Sequence, residues 1–145
     1  MAVILNPYIH FNGQAEEVIN FYKSVFGGEV EISRYGDQPP MPGQPDIGEF
    51  KNQVMHSVLK NDKFQLMVSD SGPMGPGKVG ENISISLSGD ESDDAELSKY
   101  FEALCEGGKI TVPMDKAPWG DKFGMVVDKY GINWLVNIAG PKPAA

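Results

Sequence analysis

The chain has one cysteine, two histidines and fewer basic than acidic residues, and each shortage removes a class of chemistry. A single cysteine, Cys105, excludes an intrachain disulfide. Its place on the apolar side of a helical pattern predicts a core residue and not a nucleophile. Twelve Lys and Arg against twenty Asp and Glu leave a net charge of −8. Without clustered cations, neither nucleic acid nor a membrane surface is expected as a partner. No stretch is long and apolar enough to span a bilayer, and no basic region leads into a long apolar run at the N-terminus, so a cytoplasmic location is expected. No Ser-His-Asp or Cys-His arrangement is legible. What remains is a chain of ordinary composition, 41% hydrophobic and 22% charged over 145 residues, long enough to bury one core.

The most informative stretch runs from Asn12 to Val30. Apolar residues at 15, 18, 19, 22, 25 and 26 have the spacing of one helical face. Asn12 is the expected N-cap, Glu16 and Glu17 suit the positive end of the helix dipole, and Gly27-Gly28 stops the helix. The same grammar returns in Gly89-Asp90, a helix from about Asp93 to Glu106, and Gly107-Gly108. There Leu97, Tyr100, Phe101, Leu104 and Cys105 form the apolar face, and Asp93 with Glu96 has capping-box spacing.

Strands fill the rest. Val3 to Phe11 opens the chain and Glu29 to Tyr35 follows the first helix. Gln53 to Lys60 and Phe64 to Ser69 form a hairpin about Asn61-Asp62. The second copy reads Ile83 to Ser88, Lys109 to Met114, then Phe123 to Asp128 and Ile132 to Ile138. Aligning the hairpins sets Trp134 on Leu66, Leu135 on Met67 and Val136 on Val68. Each module is thus strand, helix, three strands: about 3–70 for the first and 82–139 for the second, with 71–81 as linker in a single domain. A helical crossover joins parallel strands and short turns join antiparallel ones, so the fold class is α+β, two tandem βαβββ modules with curved mixed sheets around a cleft. The Pro-rich loop 36–46 is either a lid or disordered.

By strand alternation, Ile9, Phe11, Ile83, Ile85 and Leu87 face the helices. Tyr8, His10, Gln65, Met67, Ser69, Ser84, Ser86, Asn133, Leu135 and Asn137 face the cleft, a setting suited to a small molecule. His56 alternates with Val54 and Val58, and its side stays open. Trp119, between Pro118 and Gly120, either closes over an apolar ligand or plugs the core; Trp134 reads as core. Asp70 and Asp128 sit at strand ends, where turn hydrogen bonding is expected.

The ordered set Asn12-Gly13-Gln14-Ala15-Glu16-Glu17, Phe21 to Gly28, Val68-Ser69-Asp70, Trp119-Gly120 and Asp128 to Trp134 resembles the vicinal-oxygen-chelate superfamily of glyoxalases, bleomycin-resistance proteins and extradiol dioxygenases. Within it the chain is most similar to the PhnB-like branch, over nearly all of residues 3–139. Some members of that branch carry the label 3-demethylubiquinone methyltransferase, but no strand here leads into a glycine-rich nucleotide loop and helix. The resemblance implies four metal-ligand places, which fall on Asn6 (or Pro7), Met67, Ser84 and Leu135. None is a His or a carboxylate, so no metal or other cofactor is expected. A His10–His56 metal pair would need Glu49 or Asp121, which are only loosely placed for it.

Two functions compete. One is a metal-free protein that binds a small molecule between the modules, lined by Tyr8, His10, Gln65, Met67, Ser84, Ser86, Trp119 and Asn133. The other is an enzyme of lyase, isomerase or oxygenase type using His10 as acid or base, or an unrecognised metal site. The resemblance also implies a homodimer.

Overall fold

A computed structural model describes residues 3–37, 48–75 and 77–141, apart from the Met74 side chain. Most of the Pro-rich loop 36–46 lies outside the described residues. The chain divides into two compact units, Met1–Lys78 and Val79–Ala145.

The first unit comprises β1 (Tyr8–Phe11), α1 (Ala15–Phe26), β2 (Glu29–Arg34), β3 (Val54–Lys60) and β4 (Gln65–Asp70). Its sheet has the order β1-β4-β3-β2, with β1 parallel to β4 and the other pairs antiparallel. The second comprises β5 (Ile85–Gly89), α2 (Asp94–Cys105), β6 (Lys109–Lys116), β7 (Lys122–Val127) and β8 (Asn133–Ile138). Its order, β5-β8-β7-β6, and its strand directions repeat the first. Met67 lies opposite Tyr8 and Leu135 opposite Ser86, so the hairpin alignment read from sequence holds in the register.

Each helix packs on one face of its own sheet. Ala15, Val18, Ile19, Tyr22, Val25 and Phe26 of α1 are buried with Leu59, Leu66 and Val68. Burying each large apolar side chain contributes roughly 1.5–3 kcal/mol. The exposed Arg34–Glu16 ion pair at 2.8 Å adds far less, because water screens it. In α2, Leu97, Phe101 and Leu104 are buried beside Val126, Trp134 and Val136. Gly124 leaves room there, since a Cβ on it would stand 3.0 Å from the Phe101 ring.

Several local expectations are corrected. The first strand starts at Tyr8 and not Val3, and Val3 and Leu5 are fully exposed. The parallel ladder ends where the carbonyl of Pro7, a residue with no N–H to give, accepts from Met67 N. Ile83 is 74% exposed before β5 rather than under α2. The N-cap of α1 is Gln14 rather than Asn12, and it makes no side-chain cap. The capping box of the second module pairs Asp90 with Asp93, one turn earlier than Asp93 with Glu96, and opens a short 3-10 turn ahead of α2. Cys105 and Tyr100 are half-buried instead of core.

Gly28 and Gly108 end equivalent connections. Each is pressed on the first residues of its hairpin turn, so a Cβ would collide with the carbonyl of Lys60 or of Val127. Gly28 also has φ +99°, which disfavours any side chain. Gly28→Ala is therefore expected to destabilise folding by about 2–4 kcal/mol. Urea unfolding measures this, and a loss no greater than that of Gly77→Ala, where the space is open, would refute the collision.

Candidate ligand-binding faces

The helix-free face of the first sheet carries the most concentrated chemistry. Tyr8 and His10 alternate outward from β1, with Met67 and Ser69 opposite them on β4 and Val58 opposite Met67 on β3. His56 belongs to this face as well. Tyr8 Oη lies 2.8 Å from His56 Nδ1, and Ser69 Oγ lies 2.7 Å from His10 Nδ1. The Tyr8 ring lies 4.7 Å from the His10 ring at 31° and 5.4 Å from the His56 ring at 72°. One tyrosine thus stands in contact with both histidines of the protein.

Asp70 holds this arrangement in place. Its carboxylate is buried and accepts from Gly13 N at 2.8 Å, Ala15 N at 3.0 Å and Val54 N at 3.0 Å. It therefore caps α1 from a distant strand and ties the end of β1 to the start of β3. The expected turn role is overturned for Asp70. Asp128 does have it, accepting from Tyr130 N and Ile132 N, and it also takes the Trp134 indole N–H. Tyr35 Oη donates to the Asp70 carbonyl. Burial, and then the Asp70 charge, push its phenol up, so it stays a donor.

The helix-free face of the second sheet is more apolar. Phe123 and Met125 of β7 lie opposite Asn137 and Leu135 of β8, with Ser86 and Ser88 on β5. Trp119 is 65% exposed and meets the Phe123 ring edge-on at 5.8 Å, so it is no core plug. Asp121 accepts from Gly140 N and Asn137 Nδ2. These two, and then the Trp119 indole, hold its carboxyl below the usual aspartate range.

Of the residues expected to line a site, Tyr8, His10 and Met67 come together on the first sheet, with Gln65 further along β4. Ser86 and Trp119 belong to the second unit; there Asn133 Nδ2 donates to the Ile83 carbonyl, while Ser84 is exposed ahead of β5. His56 was ambiguous because β3 buries apolar side chains on both faces, Leu59 toward α1 and Val58 away from it. Cys105 has its thiol raised by burial and then by Glu102, which disfavours the thiolate a nucleophile needs.

The places that the resemblance implies for metal ligands carry no His or carboxylate. They supply an amide oxygen on Asn6 (or no donor but a carbonyl at Pro7), a thioether, an exposed hydroxyl and a hydrocarbon. Among the described residues no three His, Cys, Asp or Glu gather to hold an ion.

Two outcomes follow. Asp70→Ala strands three backbone donors and is expected to cost about 3–5 kcal/mol in denaturant unfolding; a loss under 1 kcal/mol would contradict the capping role. Because the Asp121 carboxyl is depressed, its contribution is complete above the ordinary aspartate range and is lost as pH falls through the lower folded value. The Asn137 side-chain amide resonance should therefore hold steady down to the ordinary aspartate range and shift only below it. Asp121→Asn should remove that step.

The family model described as 3-demethylubiquinone-9 3-methyltransferase matches residues 4–137. Among solved structures, protein PA1353 from Pseudomonas aeruginosa is 34% identical, with TM-score 0.78 over 94% of this chain and 98% of that one. The putative 3-demethylubiquinone-9 3-methyltransferase, PhnB protein, from Bacillus cereus is 28% identical, with TM-score 0.69 over 93% and 98%. A glyoxalase/bleomycin resistance protein/dioxygenase family enzyme from Burkholderia phytofirmans shares the fold at 12% identity, with TM-score 0.56 over 92% and 95%. With the repeated βαβββ units and a match over almost the whole chain, the protein belongs to the PhnB-like family described as 3-demethylubiquinone-9 3-methyltransferase, and it has the glyoxalase/bleomycin-resistance/dioxygenase fold.

Proposed function

We propose that the protein binds a small, partly apolar molecule without using the superfamily's metal, and that Tyr8, His10, His56 and Met67 form the polar end of its site. The observation that carries this is the Tyr8–His10–His56–Ser69 cluster, where two imidazoles are oriented by hydroxyls on the face of the first sheet opposite α1. Aromatic rings and a thioether give adaptable dispersion contacts, while the ring nitrogens give direction. Gln65 extends the proposed site along β4, and Ser84, Ser86, Asn133 and Trp119 are proposed as ligand contacts of the second unit, in a protein proposed to work as a cytoplasmic homodimer.

Methyl transfer, the activity in the family's description, is not supported by either strand-to-helix connection. A nucleotide-type site needs the helix N-terminus for its phosphate or carboxylate. At α1 the buried Asp70 carboxylate already takes those donors, and ahead of α2 Asp90 and Asp93 do so. Both ends repel a second anion.

A second reading has one observation in its favour. His10 is exposed yet oriented by Ser69, which suits an acid or base; Ser69 itself, 3% exposed, is too covered to attack a substrate.

The test is mass spectrometry of metabolites retained by the metal-stripped protein, followed by titration of the compound found. Trp119→Ala is expected to weaken binding by roughly 1–3 kcal/mol if the ring is an anchor. His10→Ala should weaken binding under the first reading and abolish turnover under the second. Ligand retention only after Ni²⁺ or Zn²⁺ is added back would refute the metal-free reading.

A further inference from the structure

We infer that the first sheet selects a ligand by an acceptor oxygen, a carbonyl or carboxylate on a small aromatic molecule, received by the Nε2–H groups of His10 and His56. The inference rests on the proposed ligand-binding reading and specifies its chemistry.

The tautomers carry the argument. Neutral imidazole has one N–H and one lone pair, and the partner at one nitrogen decides what the other presents. Ser69 Oγ is buried, and among the described residues its one side-chain hydrogen bond is to His10 Nδ1 at 2.7 Å. A buried hydroxyl needs an acceptor, so Ser69 donates to Nδ1, and the His10 proton sits on Nε2. Tyr8 Oη and His56 Nδ1, 2.8 Å apart, resolve the same way. A phenol is the stronger donor and, with its lone pair drawn into the ring, the weaker acceptor, so the imidazole takes the acceptor role. Both histidines therefore offer N–H groups at the nitrogens left over.

This outcome separates ligand classes. A metal ion at Nε2 would require the proton to move to Nδ1, against the hydroxyl that already donates there. A phosphate dianion calls for fixed positive charge, and the hydrogen-bond partners of the two imidazoles among the described residues are a phenol and a hydroxyl, not Lys or Arg. A neutral or anionic acceptor oxygen suits an N–H donor of this kind. The aromatic part of the ligand follows from its neighbours, since Tyr8 is 40% exposed, its ring lies beside the His10 ring, and Met67 stands opposite it in the ladder.

The experiment uses the full chain labelled with ¹⁵N-histidine, two-bond ¹H–¹⁵N spectra to read each tautomer, and sodium benzoate and Zn²⁺ as separate probes. Both histidines are expected as Nε2–H. Benzoate should shift both Nε2 signals saturably at millimolar concentration, and Zn²⁺ should not bind stoichiometrically. Ser69→Ala should turn His10 into a tautomer mixture and weaken benzoate severalfold. Should that variant misfold, Tyr8→Phe makes the same test at His56. Nδ1–H at either histidine, no Nε2 shift with benzoate, or stoichiometric Zn²⁺ would each overturn the inference. The tautomers are read on ligand-free protein, so a wrong tautomer leaves small-molecule binding standing, whereas the metabolite search can fail with both tautomers as expected.

Discussion

The first unit depends on a buried negative charge. Asp70 is 2% exposed, and its two carboxylate oxygens receive backbone N–H groups from the β1–α1 corner and from the first residue of β3. Burying a carboxylate costs several kcal/mol. Three charge-assisted hydrogen bonds, at roughly 1.5–3 kcal/mol each, together with the positive end of α1, offset that cost. The balance is close, so the carboxylate acts less as a source of stability than as a constraint on geometry. It fixes where β1 ends relative to β3, and these are the strands that carry His10 and His56.

The second unit has the same connectivity but no carboxylate at the place of Asp70; its own buried carboxylate, Asp128, serves the hairpin turn and the Trp134 indole. Ser71 N donates to the Phe11 carbonyl, and Ala139 N donates to the Gly89 carbonyl in the equivalent way. That frame sets Asp70 on Ile138, which is buried and apolar. The N-terminus of α2 is instead prepared locally, by Asp90 and Asp93 within one turn. The hairpin turns, in contrast, are solved alike in both units. Asn61 accepts from Lys63 N and Phe64 N, and Asp128 from Tyr130 N and Ile132 N. The repeat preserves strand order, register and turn chemistry while the helix cap differs.

That contrast explains what could be read from sequence. Helix α1 was legible because its apolar residues recur on one face and Gly27-Gly28 punctuates its end. The hairpins were legible from Asn61-Asp62 and Asp128 to Gly131, whose chemistry is local. Asp70 was misread because its partners stand 16 to 57 positions away in sequence, beyond any local pattern. His56 was undecided because both faces of β3 bury apolar side chains. Ile83 looked like core because alternation continued past the strand end; nothing in a period-two pattern marks where a partner strand stops.

The two helix-free faces diverge in chemistry in the same manner. On the first sheet the residue pairs across the parallel ladder are Tyr8 with Met67 and His10 with Ser69. At the equivalent places of the second stand Ser86 with Leu135 and Ser88 with Asn137. Tyr8 and His10 of one copy thus have serines, Ser86 and Ser88, at their places in the other, where the aromatic surface comes instead from Phe123 and the Trp119 loop. The two faces therefore make different chemical offers: imidazoles and hydroxyls on the first sheet, indole and phenyl rings on the second.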